Sequence, residues 1–175
     1  MFLFKSEEER KSDKLKTLSY ENTPEFSLSG KTFYSKVLDI YDGDTVTITV
    51  KIDSIYYRMN CRLARIDTPE MKSSDPQEKE AGKMAKRHLA FLLTKQKVEL
   101  DIKREQMRKI CEDINPIIKV NCLEFDKYGR LLIEIWVDSM NVNDKMIEDG
   151  FAGLYDGGTK GEWKKYYRHI EHSGQ

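Results

Sequence analysis

The stretch IYDGDTVTITV, residues 40–50, constrains this chain more than any other. Val46, Ile48 and Val50 alternate with Thr45, Thr47 and Thr49, the period-two pattern of a strand with one face in a core and one toward solvent. Acids are poor strand formers. The Asp42-Gly43-Asp44 triplet at the mouth of the strand is therefore either a turn only or a turn that presents a carboxylate for chemistry. Gly43 permits a sharp bend between the two acids.

Strands are expected on both sides, over 32–40 and over 56–66, with Met59, Cys61, Leu63 and Arg65 on one face of the latter. The Asp53-Ser54 pair suits a tight hairpin. Residues 77–93 carry Ala81, Ala85, Leu89 and Leu92 at helical spacing and predict a helix. Further strands are expected over 98–103 and 131–137, and Asn115-Pro116 breaks the segment between them. Asn141 has the chemistry of an N-cap and Gly150 that of a helix stop. Trp163, Tyr166, Tyr167 and Ile170 fall at the spacing of a closing helix. Five short strands with a helix after the third suit a small barrel of the OB type.

Residues 1–30 alternate charge with Ser, Thr, Asn and Pro without a sustained period. They predict an arm that is disordered or loosely docked, with one domain over 31–175. Cys61, Cys111 and Cys122 form no CxxC pair, which argues against structural zinc and against a disulfide framework. Reduced thiols, and a start with four apolar residues before charge, predict an intracellular protein of cellular or viral origin with no membrane partner. Acids and bases balance at 30 each, so any polyanion site must come from local clustering. Residues 72–109 provide some, with eleven basic against six acidic side chains.

Two more segments carry chemistry-bearing residues. CRLARIDTPE, 61–70, holds Arg62, Asp67, Thr68 and Glu70, and DKYGR, 126–130, ends in Arg130. Phosphodiester hydrolysis needs an oriented water and relief of the negative charge gathered on the phosphoryl oxygens. Carboxylates and a carbonyl suit a hard divalent cation. Arginine grips two phosphate oxygens at once, and a glutamate can accept the proton of the water. Each residue type is present at a strand end or a turn.

IYDGDTV, RLARIDTPE, DKYGR and VNDKMIEDGFA, in that order, resemble the signature blocks of the staphylococcal nuclease (thermonuclease) family. The likeness runs from Val37 to Leu154. It implies an α+β, mainly β, OB-fold: a five-stranded Greek-key barrel with three helices. It also implies a Ca²⁺-dependent nuclease acting on DNA and RNA and leaving 3′-phosphates. By position, Asp44 and Asp67 match the calcium-binding aspartates, and Thr68 would offer its carbonyl. Glu70 matches the base, and Arg62 and Arg130 match the arginines that hold the scissile phosphate. Lys127 and Tyr128 match residues on a neighbouring phosphate, and Tyr155 is the candidate for stacking a base. Asp42 is expected to shape the turn that aims Asp44.

The chain departs from the family in a longer segment over 104–125, in the tail LYDGGTKGEW and in its neutral charge. The last predicts weaker non-specific binding, lost at a lower salt concentration than is usual for the family. Blander readings exist for each residue: DGD alone is commonly a turn, Arg62 a surface ion pair, Arg130 a hairpin cap. The rival function is a non-catalytic OB-fold module that binds nucleic acid or protein. Retention of all five ionic side chains, Asp44, Arg62, Asp67, Glu70 and Arg130, argues against it. The oligomeric expectation is a monomer.

Overall fold

The computed structural model describes residues 6–158 and 161–169. Five long strands make the barrel: β1 Thr32–Ile40, β2 Thr45–Ile52, β3 Ile55–Leu63, β5 Ile117–Phe125 and β6 Leu131–Val137. Short strands β4 Ile66–Asp67, β7 Met140–Asn141 and β8 Gly153–Leu154 complete the sheets. The helices are α1 Glu7–Leu15, α2 Pro76–Thr94, α3 Arg104–Ile114 and α4 Val142–Glu148.

The strands run β3-β2-β1-β5-β6, and a parallel pairing of β3 with β6 closes the ring. β1 pairs with β2 through Val37, Asp39 and Ile40, and with β5 through Thr32–Lys36. A bulge between Val37 and Asp39 bends it from one partner to the other, which closure demands. The β2–β3 hairpin turns at Asp53-Ser54, with Ile52 opposite Ile55 and Asp53 in the left-handed region at φ 54°. Val46, Ile48 and Val50 point into the core with Leu63, Val120, Ile133 and Ile135. Each such side chain, fully buried, contributes about 1.5–3 kcal/mol of hydrophobic stabilisation.

α2 packs over the barrel through Ala81, Ala85, Leu89 and Leu92. Asp75 caps its start by accepting the Gln77 N–H, and Pro76 sits where a missing N–H is harmless. α4 is pinned by Asn143, fully buried. Its amide donates to the Ala64 and Ile133 carbonyls and accepts from the Ile135 N–H, at 2.9–3.1 Å.

Three expectations are corrected. Residues 98–103 are not a strand. The edge of β1 that they would need is taken by β5, drawn from the segment that Asn115-Pro116 interrupts. The closing helix reduces to one 3-10 turn, Trp163–Lys165. The Arg168 N–H leaves the helical path to donate to the Gly150 carbonyl, and Ile170 lies outside the described residues. The described helices number four, because the arm and the long 104–125 segment each carry one. In the arm, α1 has a Ser6–Glu9 capping box and buries no residue. Farther along, Leu28 is buried and the Phe26 ring lies 6.4 Å from that of Phe125. Among the described residues no helix is long and apolar enough to cross a membrane.

Candidate active site

The turn before β2 behaves as the triplet suggests, with one addition. Asp42 accepts the Asp44 N–H on its side chain at 3.1 Å, so Asp42 shapes the turn and Asp44 is turned inward, only 4% exposed. Gly43 lies in the bend over 42–44 and also serves packing. Its φ is not positive, and a Cβ there would stand 2.8 Å from Ala85 Cβ and 2.9 Å from Thr68 Oγ1. Glycine lets α2 and the 68–70 segment close on the turn.

Arg62, on β3 opposite Thr45, is 9% exposed and lies between two acids. Its Nη1 is 2.5 Å from Asp44, and its Nη2 donates to Asp67 at 2.8 Å and to the Ile66 carbonyl at 3.1 Å. Burial pushes the Asp44 carboxyl up to about 7; Asp42 and Asp67 add to the shift, while Arg62 and the Thr45 hydroxyl oppose it. The charge of Arg62 is reinforced: burial works against it, but Asp44 and Asp67 together outweigh that and raise its pKa.

Arg130 is aimed by its own turn. Asp126 accepts the N–H groups of Tyr128 and Arg130 and holds Arg130 Nε at 2.7 Å. Burial would raise the Asp126 pKa, and these bonds win and lower it. Gly129 supplies the positive φ, 76°, that the turn requires. Arg130 reaches Thr45 Oγ1 at 3.5 Å. Tyr128 is 72% exposed, its ring flanked by Lys127 Nζ at 5.2 Å and Arg130 Cζ at 5.6 Å.

The pairing of β4 with β8 brings the tail to the site. Asp67 stands opposite Gly153, and the Tyr155 N–H donates to the Arg65 carbonyl at 2.9 Å. The Arg62 Cζ lies 5.7 Å from the Tyr155 ring centroid. Glu70 is exposed, and its N–H donates to Glu78 of α2 at 3.3 Å.

One cleft of ≈ 390 Å³ gathers Asp44, Arg62, Thr68, Glu70, Lys127, Tyr128, Arg130 and Tyr155. Asp67 reaches the group through Arg62. Thus β2, β3, the loop before α2, the β5–β6 turn and the tail converge. Among the described residues no group of three or more His, Cys, Asp or Glu is arranged as a ready metal cage.

Sequence reasoning missed three contributors. Asp126 clamps Arg130, and its signal was present as an acid four residues before the arginine. Gly82 on α2 lets the 69–71 backbone approach: a Cβ would stand 2.6 Å from the Pro69 carbonyl oxygen. Nothing local marks that glycine. Tyr166 packs against Gly153, and burial together with Asp67, Glu78, Asp44 and Glu70 raises its hydroxyl pKa.

Over residues 60–175 the sequence matches the family described as staphylococcal nuclease homologue. The chain belongs to this family. It is 31% identical over 121 residues to a thermonuclease of Staphylococcus hyicus, covering 67% of this chain and 56% of that protein. Two Bacillus subtilis relatives, the SPbeta prophage-derived endonuclease YokF and the endonuclease YncB, are each 27% identical over 124 residues. The matches cover 68% of this chain but 34% and 48% of those proteins. The chain thus spans about half the length, or less, of these curated relatives.

Proposed function

We propose that the chain is a metal-dependent nuclease that hydrolyses phosphodiester bonds of DNA and RNA, with Ca²⁺ as its metal. The observation that carries this reading is the convergence of Arg62, Arg130 and Glu70 with the buried acids Asp44 and Asp67 on a single cleft. The relatives' printed names, thermonuclease and endonuclease, agree with it.

The residues fit a hard divalent cation. The donors are all oxygen: the Asp44 and Asp67 carboxylates and the Thr68 backbone carbonyl. Asp42, Asp44 and Asp67 surround one guanidinium, so the cluster retains an excess of negative charge that a cation would neutralise. When bound, the cation supplies Lewis-acid relief of charge on the phosphoryl oxygen and lowers the pKa of a coordinated water.

The remaining work falls to the chain. Glu70 accepts a proton from the attacking water as its oxygen bonds to phosphorus and the bond to the leaving 5′ oxygen breaks. Arg62 and Arg130 hold the non-bridging oxygens, where charge grows in the transition state. Removal of either arginine is expected to cost about 3 kcal/mol of barrier, the scale of a lost oxyanion donor. Lys127 and Tyr128 hold the next phosphate, and Tyr155 stacks a base beside Arg62. The catalytic unit in this reading is residues 31–175, with residues 1–30 an arm outside it. The substrates enter as free polynucleotides, and the enzyme acts as a monomer.

The test is cleavage of single-stranded DNA, double-stranded DNA and RNA with Ca²⁺, Mg²⁺ or chelator, with Glu70→Ala run in parallel. Calcium-dependent cutting that falls about 10²–10⁴-fold in the variant is expected. A parent protein silent under every condition, yet still binding the strands, would leave only a binding module.

A further inference from the structure

A second cavity, of ≈ 240 Å³, adjoins the candidate active site and shares Asp42, Glu70 and Met71 with it. Its other lining residues are Tyr41, Lys72, Lys86 and Arg104. None of these lies at a position that the resemblance assigns. Arg104 opens α3, in the segment that is longer than the family's.

The cavity is built around cations. The Tyr41 ring carries Lys72 Nζ at 5.6 Å and Arg104 Cζ at 5.2 Å, so one aromatic platform orders two positive groups. Lys86 projects from α2 and is only 6% exposed. Among the described residues its ammonium makes neither an ion pair nor a hydrogen bond. Burial lowers its pKa, the mark of a desolvated cation without a direct counter-charge.

Asp39 and Asp42 are the acids that partly offset its charge without pairing with it, and among the described residues Asp39 Oδ1 is buried without a hydrogen-bond partner. Its Oδ2 already accepts from Arg104 Nε at 2.7 Å and Arg108 Nε at 2.9 Å. α3 thus holds Asp39 with two arginines, and Lys86 faces a cavity whose cations Lys72 and Arg104 stand beside the carboxylates of Asp42 and Glu70. Burying an ammonium without a direct partner is costly, and an anionic ligand beside it reduces that cost. Because cations cover the Tyr41 ring, the cavity suits a phosphate better than a stacked base.

We infer that Tyr41, Lys72, Lys86 and Arg104 form a second phosphate subsite, which holds a neighbouring phosphodiester of the strand whose scissile phosphate lies at Arg62 and Arg130. The inference rests on the nuclease reading for the identity of the strand. The track then has two arms from one cleft, Lys127 and Tyr128 on one side and this cavity on the other.

The test is binding of a fluorescein-labelled twelve-residue oligothymidylate to the full chain, in chelator so that no cutting occurs, over a range of KCl concentrations. Lys86→Met keeps the side-chain volume and removes the buried charge. Lys72→Ala alters an exposed side chain and leaves the core untouched. Each is expected to weaken binding at low salt about five- to twentyfold and to reduce the slope of log affinity against log salt by about 0.7, one single-strand phosphate contact. Parent-like affinity and slope in both variants, with parent-like circular dichroism, would overturn the subsite, as would a parent protein that does not bind the oligonucleotide. The nuclease reading is scored separately, by whether the parent cuts the same strand when Ca²⁺ is added. Slope loss without cutting keeps the subsite and sinks the nuclease; cutting without slope loss does the reverse.

Discussion

At the scale of single residues, the proposed chemistry depends on residues that place other residues. Gly82 shows how. Alanine in an exposed helix interior gains about 1 kcal/mol over glycine in helix propensity. Here a Cβ would stand 2.6 Å from the Pro69 carbonyl oxygen and 2.8 Å from the Met71 nitrogen, both backbone atoms that cannot rotate away. Overpacking of that kind costs about 1–3 kcal/mol and outweighs the propensity gain. Gly82→Ala is therefore expected to lower stability by about 1 kcal/mol net and to displace Glu70, with a fall in turnover of tenfold or more; a variant more stable than the parent with full turnover would refute the contact. Asp126→Ala is the complementary case. It leaves Arg130 in the chain but removes three hydrogen bonds that aim it. The expected loss is about 1–3 kcal/mol of stability, with kcat falling more than KM rises, because orientation and not ground-state affinity is lost. The charged members of the candidate site were legible in the sequence because they come in four blocks in one order; singly, each has a common structural use. Gly82 was not, because its role is set by a backbone that arrives from another element, and the packing role of Gly43 beside its bend was hidden for the same reason.

At the scale of elements, legibility followed the period. β2 alternates strictly and was read to its ends; α2 was read to within one residue at each end from its alanine and leucine spacing. The fourth barrel strand was placed in 98–103 rather than in Ile117–Phe125. Both segments contain β-formers, and only tertiary competition for the edge of β1 decides between them. α3 was missed although Met107, Ile110, Cys111 and Ile114 fall at helical spacing; of these only Met107 and Cys111 are buried. α4 was signalled by the Asn141 cap, but its tether, Asn143, looks like any polar helix residue until its three buried bonds are seen. Asn143→Ala strips partners from the Ala64 carbonyl and the Ile135 N–H inside the barrel wall. A loss of about 3 kcal/mol is expected, read as a lower urea midpoint with unchanged m-value. A shift below about 0.5 kcal/mol would mean that α4 is held by its apolar face alone.

At the scale of the whole molecule, α2, the end of α4 and the closing segment meet around Phe151, far along the chain from the acid cluster. Phe151 is stacked between His88, centroid distance 4.1 Å, and His169, 4.0 Å. His88 also bonds Asp149 through Nε2 at 2.8 Å. Burial lowers the pKa of His88 and prevails over Asp149, which pulls the other way; His169 and Lys145 add to the lowering. The folded state therefore binds His88's proton less readily than the unfolded chain, whose histidine titrates near 6.5. Stability contributed by the neutral ring is present above pH 6.5 and is lost as pH falls from 6.5 toward the lower folded value. Asp149 acts in a separate window. Burial opposes its ionisation, but Lys145 and His88 lower its pKa below 3.8, so its contribution is kept above pH 3.8 and lost only as pH falls through the lower folded value. The junction's own contribution to the urea midpoint is thus expected to drop in two stages, one just below pH 6.5 and one below pH 3.8, against an opposing gain as pH falls from Asp44, whose carboxyl is raised to about 7. His88→Gln keeps a hydrogen-bonding side chain against Asp149 without a titrating ring, and is expected to shrink the upper stage while leaving the lower one. An upper stage of full size in that variant would show that the burial of His88 in this three-segment junction is not its source.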